Sequence, residues 1–239
     1  MEKETCWIGG RHAVEAAILN SKRQKYEIIF LDKESNRIDI SKFKPYEKII
    51  KFKNDKFFNK IFPTGFKHQG IAAKVSTIKK LNLKEFLISN FNEKNIVLLD
   101  GVTDPRNIGS IIRNCVGFNI ETIILHEQGL NLKSPTLHNA ASGAIEHIKI
   151  IVVKNIFSSL KLLKENNFWI LGFDSNNKDN FDKILLNKKN VLIFGDEGSG
   201  MKKLTKDSCD NLVSIPTSSK IESLNVSSAV VAALCLINN

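Results

Sequence analysis

The sequence predicts an α/β protein in two parts, a small N-terminal α/β unit and a larger C-terminal domain built on a parallel sheet. Three observations predict it. From Asn95 onward, short runs that are apolar throughout alternate with amphipathic helical stretches, as strands covered on both faces by helices require. Residues 1–75 alternate strand-like and helical patterns on a smaller scale. Residues 76–94 are rich in Lys and Asn with one short amphipathic patch at Leu83, Phe86 and Leu87, and they read as a linker.

In the first part, Gly9-Gly10 precedes a helical pattern from Arg11 to Leu19, with Ala13, Val14, Ala17 and Ile18 on one face. Strand-like runs follow at Glu27–Leu31, Lys48–Phe52 and Gly70–Val75. Phe57, Phe58, Phe62 and Phe66 stand among Lys53, Lys56, Lys60 and Lys67. That mixture fits a basic–aromatic RNA surface, but core packing beneath a solvated lysine face accounts for it more simply. In the second part, strands are expected at Ile96–Leu99, Thr122–Leu125, His147–Val153, Phe168–Phe173, Val191–Phe194 and Leu212–Ile215. Helices are expected at Ile108–Gly117, Ile156–Glu165, Phe181–Leu186 and Leu224–Ile237. In such sheets ligands bind beyond the carboxyl ends of the strands.

At 239 residues, with 42% apolar and 25% charged residues, the chain is an ordinary globular sequence, not a disordered or collagen-like one. Its formal charge is +10, carried by 30 Lys and only 5 Arg. The skew toward Lys, beside 25 Asn, reflects a compositional bias, which alone would spread the charge evenly. It is not spread evenly. Residues 1–94 hold 20 Lys and Arg against 11 Asp and Glu, whereas residues 95–239 hold 15 against 14. The first part thus has the electrostatic character of a nucleic-acid-recruiting module.

The longest apolar run near a terminus, Ala229–Ile237, has nine residues, short of the ~20 a bilayer span needs. Met1–Arg11 has no hydrophobic signal segment. Cys6, Cys115, Cys209 and Cys235 are far apart with no CxxC pair, and they read as buried thiols in a reducing compartment. A cytoplasmic protein is expected. His12, His68 and His147 fall at no metal-ligand spacing, and no metal is expected.

Three loops, each after a strand of the second part, carry the chemical signals. The first runs from Leu99 through Asp104-Pro105-Arg106-Asn107 into a helix containing Arg113. Asp104-Pro105 is a turn signal, Asn107 suits a helix cap, and a helix start beside Arg106 can hold phosphate. The same residues also serve an ordinary strand–turn–helix with two solvated arginines. The second loop, Gly195-Asp196-Glu197-Gly198-Ser199-Gly200, places three glycines in six residues around an acid. Its order is GxxGxG, which argues against a dinucleotide fingerprint. The third, Ile215-Pro216-Thr217 followed by Ser223-Leu224-Asn225-Val226-Ser227, opens the last apolar helix with polar groups. Read alone, it is equally a plain Ser/Asn cap.

Together, Asp100-Gly101-Val102-Thr103-Asp104-Pro105-x-Asn107-x-Gly109-x3-Arg113, Gly195-x-Glu197-Gly198-x-Gly200, and Ile215-Pro216 with Ser223-Leu224-Asn225-Val226-Ser227 closely resemble the three motifs of the SpoU (TrmH-like) RNA ribose 2′-O-methyltransferases. Any one could arise by chance; three in order are specific. Gly9-Gly10-Arg11-His12-Ala13-Val14 and His68-Gln69-Gly70-Ile71 look like the N-terminal substrate domain of the RlmB-type subgroup, and Ala141–Glu146 matches a further family segment. The resemblance covers the whole chain.

The resemblance implies a SPOUT-type domain at 95–239 whose C-terminal segment threads a deep trefoil knot, and a ribosomal-protein-like RNA-binding domain at 1–75. It implies S-adenosylmethionine as cofactor, held at the positions of Gly195, Ile215 and Leu224, and a homodimer with the site near the subunit interface. Asn107, Arg113, Glu197, Ser223 and Asn225 match the catalytic positions. The family's arginine is proposed as the proton acceptor, but a guanidinium holds its own proton too tightly to suit that role. Clamping phosphate and stabilising a developing alkoxide suit Arg113 better, with Glu197 as its ion-pair partner. The implied reaction is methylation of a guanosine ribose 2′-hydroxyl in 23S rRNA. A tRNA substrate, or an RNA-binding or ribosome-assembly role without catalysis, stays open beside it. Thr217–Lys220 depart from the Met and Gly that many relatives have there.

Overall fold

The computed structural model describes residues 4–32, 38–89, 93–177, 179, 181, 189–218, 220–221 and 223–238. In chain order the first elements are β1 (Thr5–Gly9), α1 (Arg11–Leu19), β2 (Lys25–Leu31), β3 (Ile50–Lys53), α2 (Asp55–Ile61) and β4 (Ile71–Ser76). Then come β5 (Lys80–Leu81), α3 (Leu83–Ile88), β6 (Asn95–Asp100), α4 (Pro105–Gly117), β7 (Thr122–His126), α5 (Pro135–Ala141) and β8 (Lys149–Val153). The last are α6 (Ile156–Glu165), β9 (Trp169–Phe173), β10 (Asn190–Gly195), α7 (Lys203–Asp207), β11 (Asn211–Val213) and α8 (Val226–Asn238). They fall into two units, Met1–Ile78 with Asn131–His147, and Lys79–Leu130 with Ile148–Asn239.

The first unit is a four-stranded sheet in the order β1-β4-β2-β3, antiparallel except for the β2–β3 pair. Successive residues of a strand face opposite sides, and β2 uses both. Ile28 and Phe30 pack with Val14, Ala17 and Ile18 of α1 and with Phe43. Ile29 and Leu31 pack with Phe58 of α2 and with Phe62. Phe58 and Phe62 are therefore core side chains, each contributing about 1.5–3 kcal/mol on burial.

Residues 131–147 lie within the range that the sequence assigns to the second domain, yet they pack in the first unit. The reason is physical. Arg23 and Glu146 form an ion pair at 2.9 Å with side chains 3% and 1% exposed, and Asn20 Nδ2 donates to the other Glu146 oxygen at 2.7 Å. Gly143, at φ +90°, sits so close to α1 that a Cβ would meet Ala16 Cβ at 2.7 Å and His12 O at 3.0 Å. Buried His138 donates from Nε2 to Leu132 O at 3.0 Å, and burial, with the Arg23 guanidinium nearby, pushes its pKa down to about 4.

The second unit is a seven-stranded sheet, parallel at every pairing, in the order β11-β9-β10-β6-β7-β8-β5. The run 76–94 is not a free linker. Its β5 extends the sheet edge beside β8, and Leu83 and Phe86 of α3 enter a core shared with Ile151, Val153 and α6. Ile96, Leu98, Val191 and Ile193 point into that core, so Val97, Leu99, Leu192 and Phe194 face the other side. There α4 and α8 pack against each other, and α8 against β10.

From β6 the chain builds β7 and β8 on one side, then returns so that β10 lies on the other, which makes the β6–β10 boundary a switch point. The strand expected from His147 begins at Lys149, because His147 closes a 3₁₀ turn. The helix expected at Phe181–Leu186 lies, apart from Phe181, outside the described residues. The last helix begins at Val226, two residues later than its pattern suggests. All four cysteines are free. Among the described residues no helix is long and apolar enough to cross a membrane.

Candidate active site

The site forms at the carboxyl ends of β6, β9, β10 and β11. β6 ends in buried Asp100, whose Oδ2 accepts from Lys202 N at 2.8 Å, so the strand end holds the exit of the glycine-rich loop. The following helix is capped by Asp104, which accepts from Arg106 N at 2.6 Å and Asn107 N at 3.4 Å, with Pro105 at the first helical position. Asn107 is thus not the cap. Proline with its missing N–H favours the first turn, which makes the preceding Asp the capping residue and leaves the Asn107 side chain for other use.

After β10, the backbones of Asp196 and Gly200 bond to each other in both directions, at 3.2 and 2.8 Å. This folds the chain tightly back on itself: a Cβ at Gly195 would lie 2.2 Å from both Gly200 C and Met201 N. Only glycine fits there. After β11, the chain reaches Asn225, whose Oδ1 accepts from Ser227 N at 3.0 Å and Ser227 Oγ at 2.7 Å, capping α8.

These three loops converge on Glu197. Its Oε1 accepts from Asn225 Nδ2 at 2.7 Å and its Oε2 from Asn107 Nδ2 at 3.3 Å, while Asn225 Nδ2 also donates to Asn107 Oδ1 at 3.2 Å. Both Asn225 amide hydrogens and its oxygen are engaged, so its orientation is set. The carboxylate is held by neutral amides and keeps acceptor capacity on the solvent side.

The Glu197–Arg113 pair expected from sequence is absent. Arg113 is exposed and makes no hydrogen bond or ion pair among the described residues. It lies six residues beyond Asn107, about 240° around the helix, on a different flank. Asn114, about one heptad from Asn107, holds the α8 side instead, donating from Nδ2 to Ser227 O at 3.4 Å.

Beside the cluster opens a cavity of about 250 Å³. Gly195, Ile215 and Leu224 all line it, together with Glu197 and Ser223. Its apolar wall includes Phe194, stacked on Phe173 with ring centroids 4.7 Å apart. Sequence reading missed the segment Phe173–Asn176 and Lys206, which also line it. The Asp174–Lys206 ion pair at 2.5 Å spans that wall. Their one available signal was position, since Phe173 ends a parallel strand next to the switch point. The lining offers backbone amides, carbonyls, hydroxyls, the carboxyl groups of Asp174, Asp196 and Glu197, and Lys206, beside apolar faces. That suits an adenosyl-bearing organic ligand, and among the described residues no group of metal-binding side chains occurs.

Residues 94–235 match the SpoU rRNA Methylase family. The chain is 37% identical over 171 residues to the 23S rRNA (guanosine-2′-O-)-methyltransferase RlmB of Nitrosomonas europaea, a match covering 71% of this chain and just under two thirds, 65%, of that relative. It is 31% identical over 234 residues to RlmB of Pectobacterium atrosepticum, covering 96% of this chain and 95% of the relative. Its fold is similar to the SpoU methyltransferase AviRb of Streptomyces viridochromogenes in complex with AdoMet, at TM-score 0.80, 17% identity and coverage of 97% and 88% of the two chains. An AdoMet-bound rRNA methyltransferase from Sinorhizobium meliloti is similar at TM-score 0.78 and 19% identity, with 98% and 87% covered. With the motif loops, the parallel sheet and these relatives in agreement, the chain belongs to the SpoU rRNA methylase family.

Proposed function

We propose that this protein transfers a methyl group from S-adenosylmethionine to the ribose 2′-hydroxyl of a guanosine in 23S rRNA, in the cytoplasm. The observation that carries the reading is the convergence of Asn107, Glu197 and Asn225 beside a cavity lined by Gly195, Ile215 and Leu224. When bound, the cofactor supplies an electrophilic methyl on a sulfonium. Gly195, Ile215 and Leu224 would hold it through backbone groups, against the Phe194 wall.

The chain's own residues then have to orient a ribose and manage a proton. Glu197 and Asn107 hold a fixed polar edge at which a hydroxyl can be aligned, and Ser223 adds a hydroxyl to the cavity wall. A preorganised, poorly hydrated setting favours a step in which the positive charge disappears. Arg113 would clamp RNA phosphate through its guanidinium and stabilise developing negative charge on the 2′-oxygen.

Arg113 lies on another flank of α4 from Asn107, which supports a homodimer in which it acts across the interface. The part-exposed apolar residues of α8, Val231, Cys235 and Leu236 among them, would supply the contact. The order of β10 between β6 and β9, with α8 returning to α4, is compatible with the C-terminal segment threading a deep trefoil knot. In this division of labour the first unit recruits RNA and the second transfers the methyl group.

The test is purified protein with labelled cofactor and, separately, unmodified 23S rRNA and tRNA. Label in a guanosine ribose of 23S rRNA is expected. Label in tRNA alone would replace the substrate, and RNA binding without transfer would make this a non-catalytic RNA-binding protein.

A further inference from the structure

The Asp174–Lys206 ion pair touches none of Asn107, Glu197 and Asn225 among the described residues, yet both its members line the same cavity. Asp174 directly follows β9 and Lys206 belongs to α7, whereas Asn107 stands in the helix after β6 and Glu197 in the loop after β10. In the strand order β9-β10-β6, Asp174 and Asn107 lie beyond opposite sides of β10, and β9 and β6 are two strand spacings, about 10 Å, apart. A cofactor whose sulfonium methyl faces Asn107 and Glu197 thus has its nucleoside free to extend toward β9.

Asp174 is held in place at both backbone and side chain. Its N donates to Val213 O at 2.8 Å, and its O accepts from Asn177 N at 3.1 Å. Its side chain is only 12% exposed; Oδ2 accepts from Lys206 Nζ at 2.5 Å and Oδ1 from Asn176 N at 3.2 Å. A carboxylate offers about four acceptor positions and no donor. Two of them are used among the described residues, so acceptor capacity remains in a wall largely removed from water.

The polar groups of the cofactor differ in what they can offer that acceptor. The ribose 2′,3′-diol presents two adjacent O–H donors. The adenine edge carries a ring-nitrogen acceptor beside its amino donor, which backbone N–H and C=O groups match and a carboxylate does not. The methionyl carboxylate would meet like charge. An acid at the carboxyl end of a parallel strand beside a switch point is also where dinucleotide folds bind a ribose hydroxyl. We infer that Asp174 binds the ribose diol of the cofactor, with Lys206 as the positioning residue that fixes its carboxylate. The inference rests on the reading that the cavity takes S-adenosylmethionine, and it uses no residue that meets the RNA.

The experiment measures binding of S-adenosylhomocysteine and its 2′,3′-dideoxy analogue to the full chain by calorimetry, for wild type, Asp174→Ala, Lys206→Met and Lys206→Arg. Wild type should bind the parent about ten- to a hundredfold more tightly than the analogue, the scale of hydrogen bonds to a charged group. Asp174→Ala should lose that preference, binding both about as weakly as wild type binds the analogue. Lys206→Met should narrow the preference and Lys206→Arg restore it. Equal affinities of wild type for parent and analogue would overturn the inference, and that comparison needs no variant to fold. So would an Asp174→Ala protein that weakens both ligands by the same factor, since the pair would then merely shape the wall. Diol preference lost in Asp174→Ala, without methyl transfer to any RNA by wild type, would keep this contact and remove the methyltransferase reading. Transfer by wild type with the preference intact in Asp174→Ala would do the reverse.

Discussion

Asn225 Nδ2 donates to Glu197 Oε1 at 2.7 Å, so the residue that caps α8 also holds the acid of the glycine-rich loop. Replacing Glu197 by Gln puts an amide donor where two amide donors already point. Methyl transfer should fall about 10²-fold or more, on the scale of losing a positioned polar group in a transition state. Because Glu197 is exposed, the thermal midpoint should hardly move. Unchanged turnover would place Glu197 outside the reaction.

Asn225→Ala removes two things at once, the clamp on Glu197 and the cap on α8. It should lower both activity and stability, the latter by about 1 kcal/mol. Asn225→Asp keeps the cap but repels Glu197. Recovered stability without recovered activity, measured by denaturant melts beside turnover, separates the two roles.

Gly195→Ala should be worse than an ordinary surface change. Its Cβ would sit 2.2 Å from the Gly200–Met201 backbone, so the loop must move into the cavity it borders. Overpacking of this kind costs about 1–3 kcal/mol. Cofactor binding by calorimetry should be lost or much weakened while far-UV circular dichroism stays native. Wild-type affinity would show that the loop has slack the geometry does not display.

Arg23 and Glu146 are buried together and join parts of the chain 123 residues apart. Arg23→Met alone leaves an uncompensated acid and should destabilise by about 3–5 kcal/mol. Burial already pushes the Glu146 carboxyl above its usual range, despite Arg23 and Asn20. The double change Arg23→Met with Glu146→Leu should therefore recover much of the loss in urea melts.

His138 gives the pH dependence a sign. Its pKa in the fold is about 4, below the 6.5 of an open chain, so the unfolded state binds the proton first. Its contribution is fully present above pH 6.5 and is lost as pH falls toward 4, by about 3 kcal/mol in all. The wild-type thermal midpoint should drop across that window, and His138→Gln should flatten the drop. Identical profiles would show that other groups set the acid limit.

The apolar runs made most of the second sheet legible, because a strand buried on both faces must be apolar throughout, as Ile96–Leu99 and Val191–Phe194 are. The α1 pattern is legible too, down to its four inward residues. What sequence could not show is which distant segments share a core. Leu83 and Phe86 look like an isolated patch until α3 meets the sheet, and nothing local in Glu146 announces Arg23. At the site, residue types at motif spacing nominate Asn107, Glu197 and Asn225, but their partners are a matter of rotamer and helix phase. That is why the expected Glu197–Arg113 pair gives way to amides. The Phe173–Asn176 wall carries no motif; only its place at a strand end marks it.

The most direct test of the central claim is a map of ribose 2′-O-methylation in 23S rRNA from cells with and without this protein. The account predicts that one guanosine loses its methyl group in its absence, regains it with the wild-type chain, and stays bare with Glu197→Gln. Guanosine methylation of 23S rRNA that is the same in both cells would contradict it.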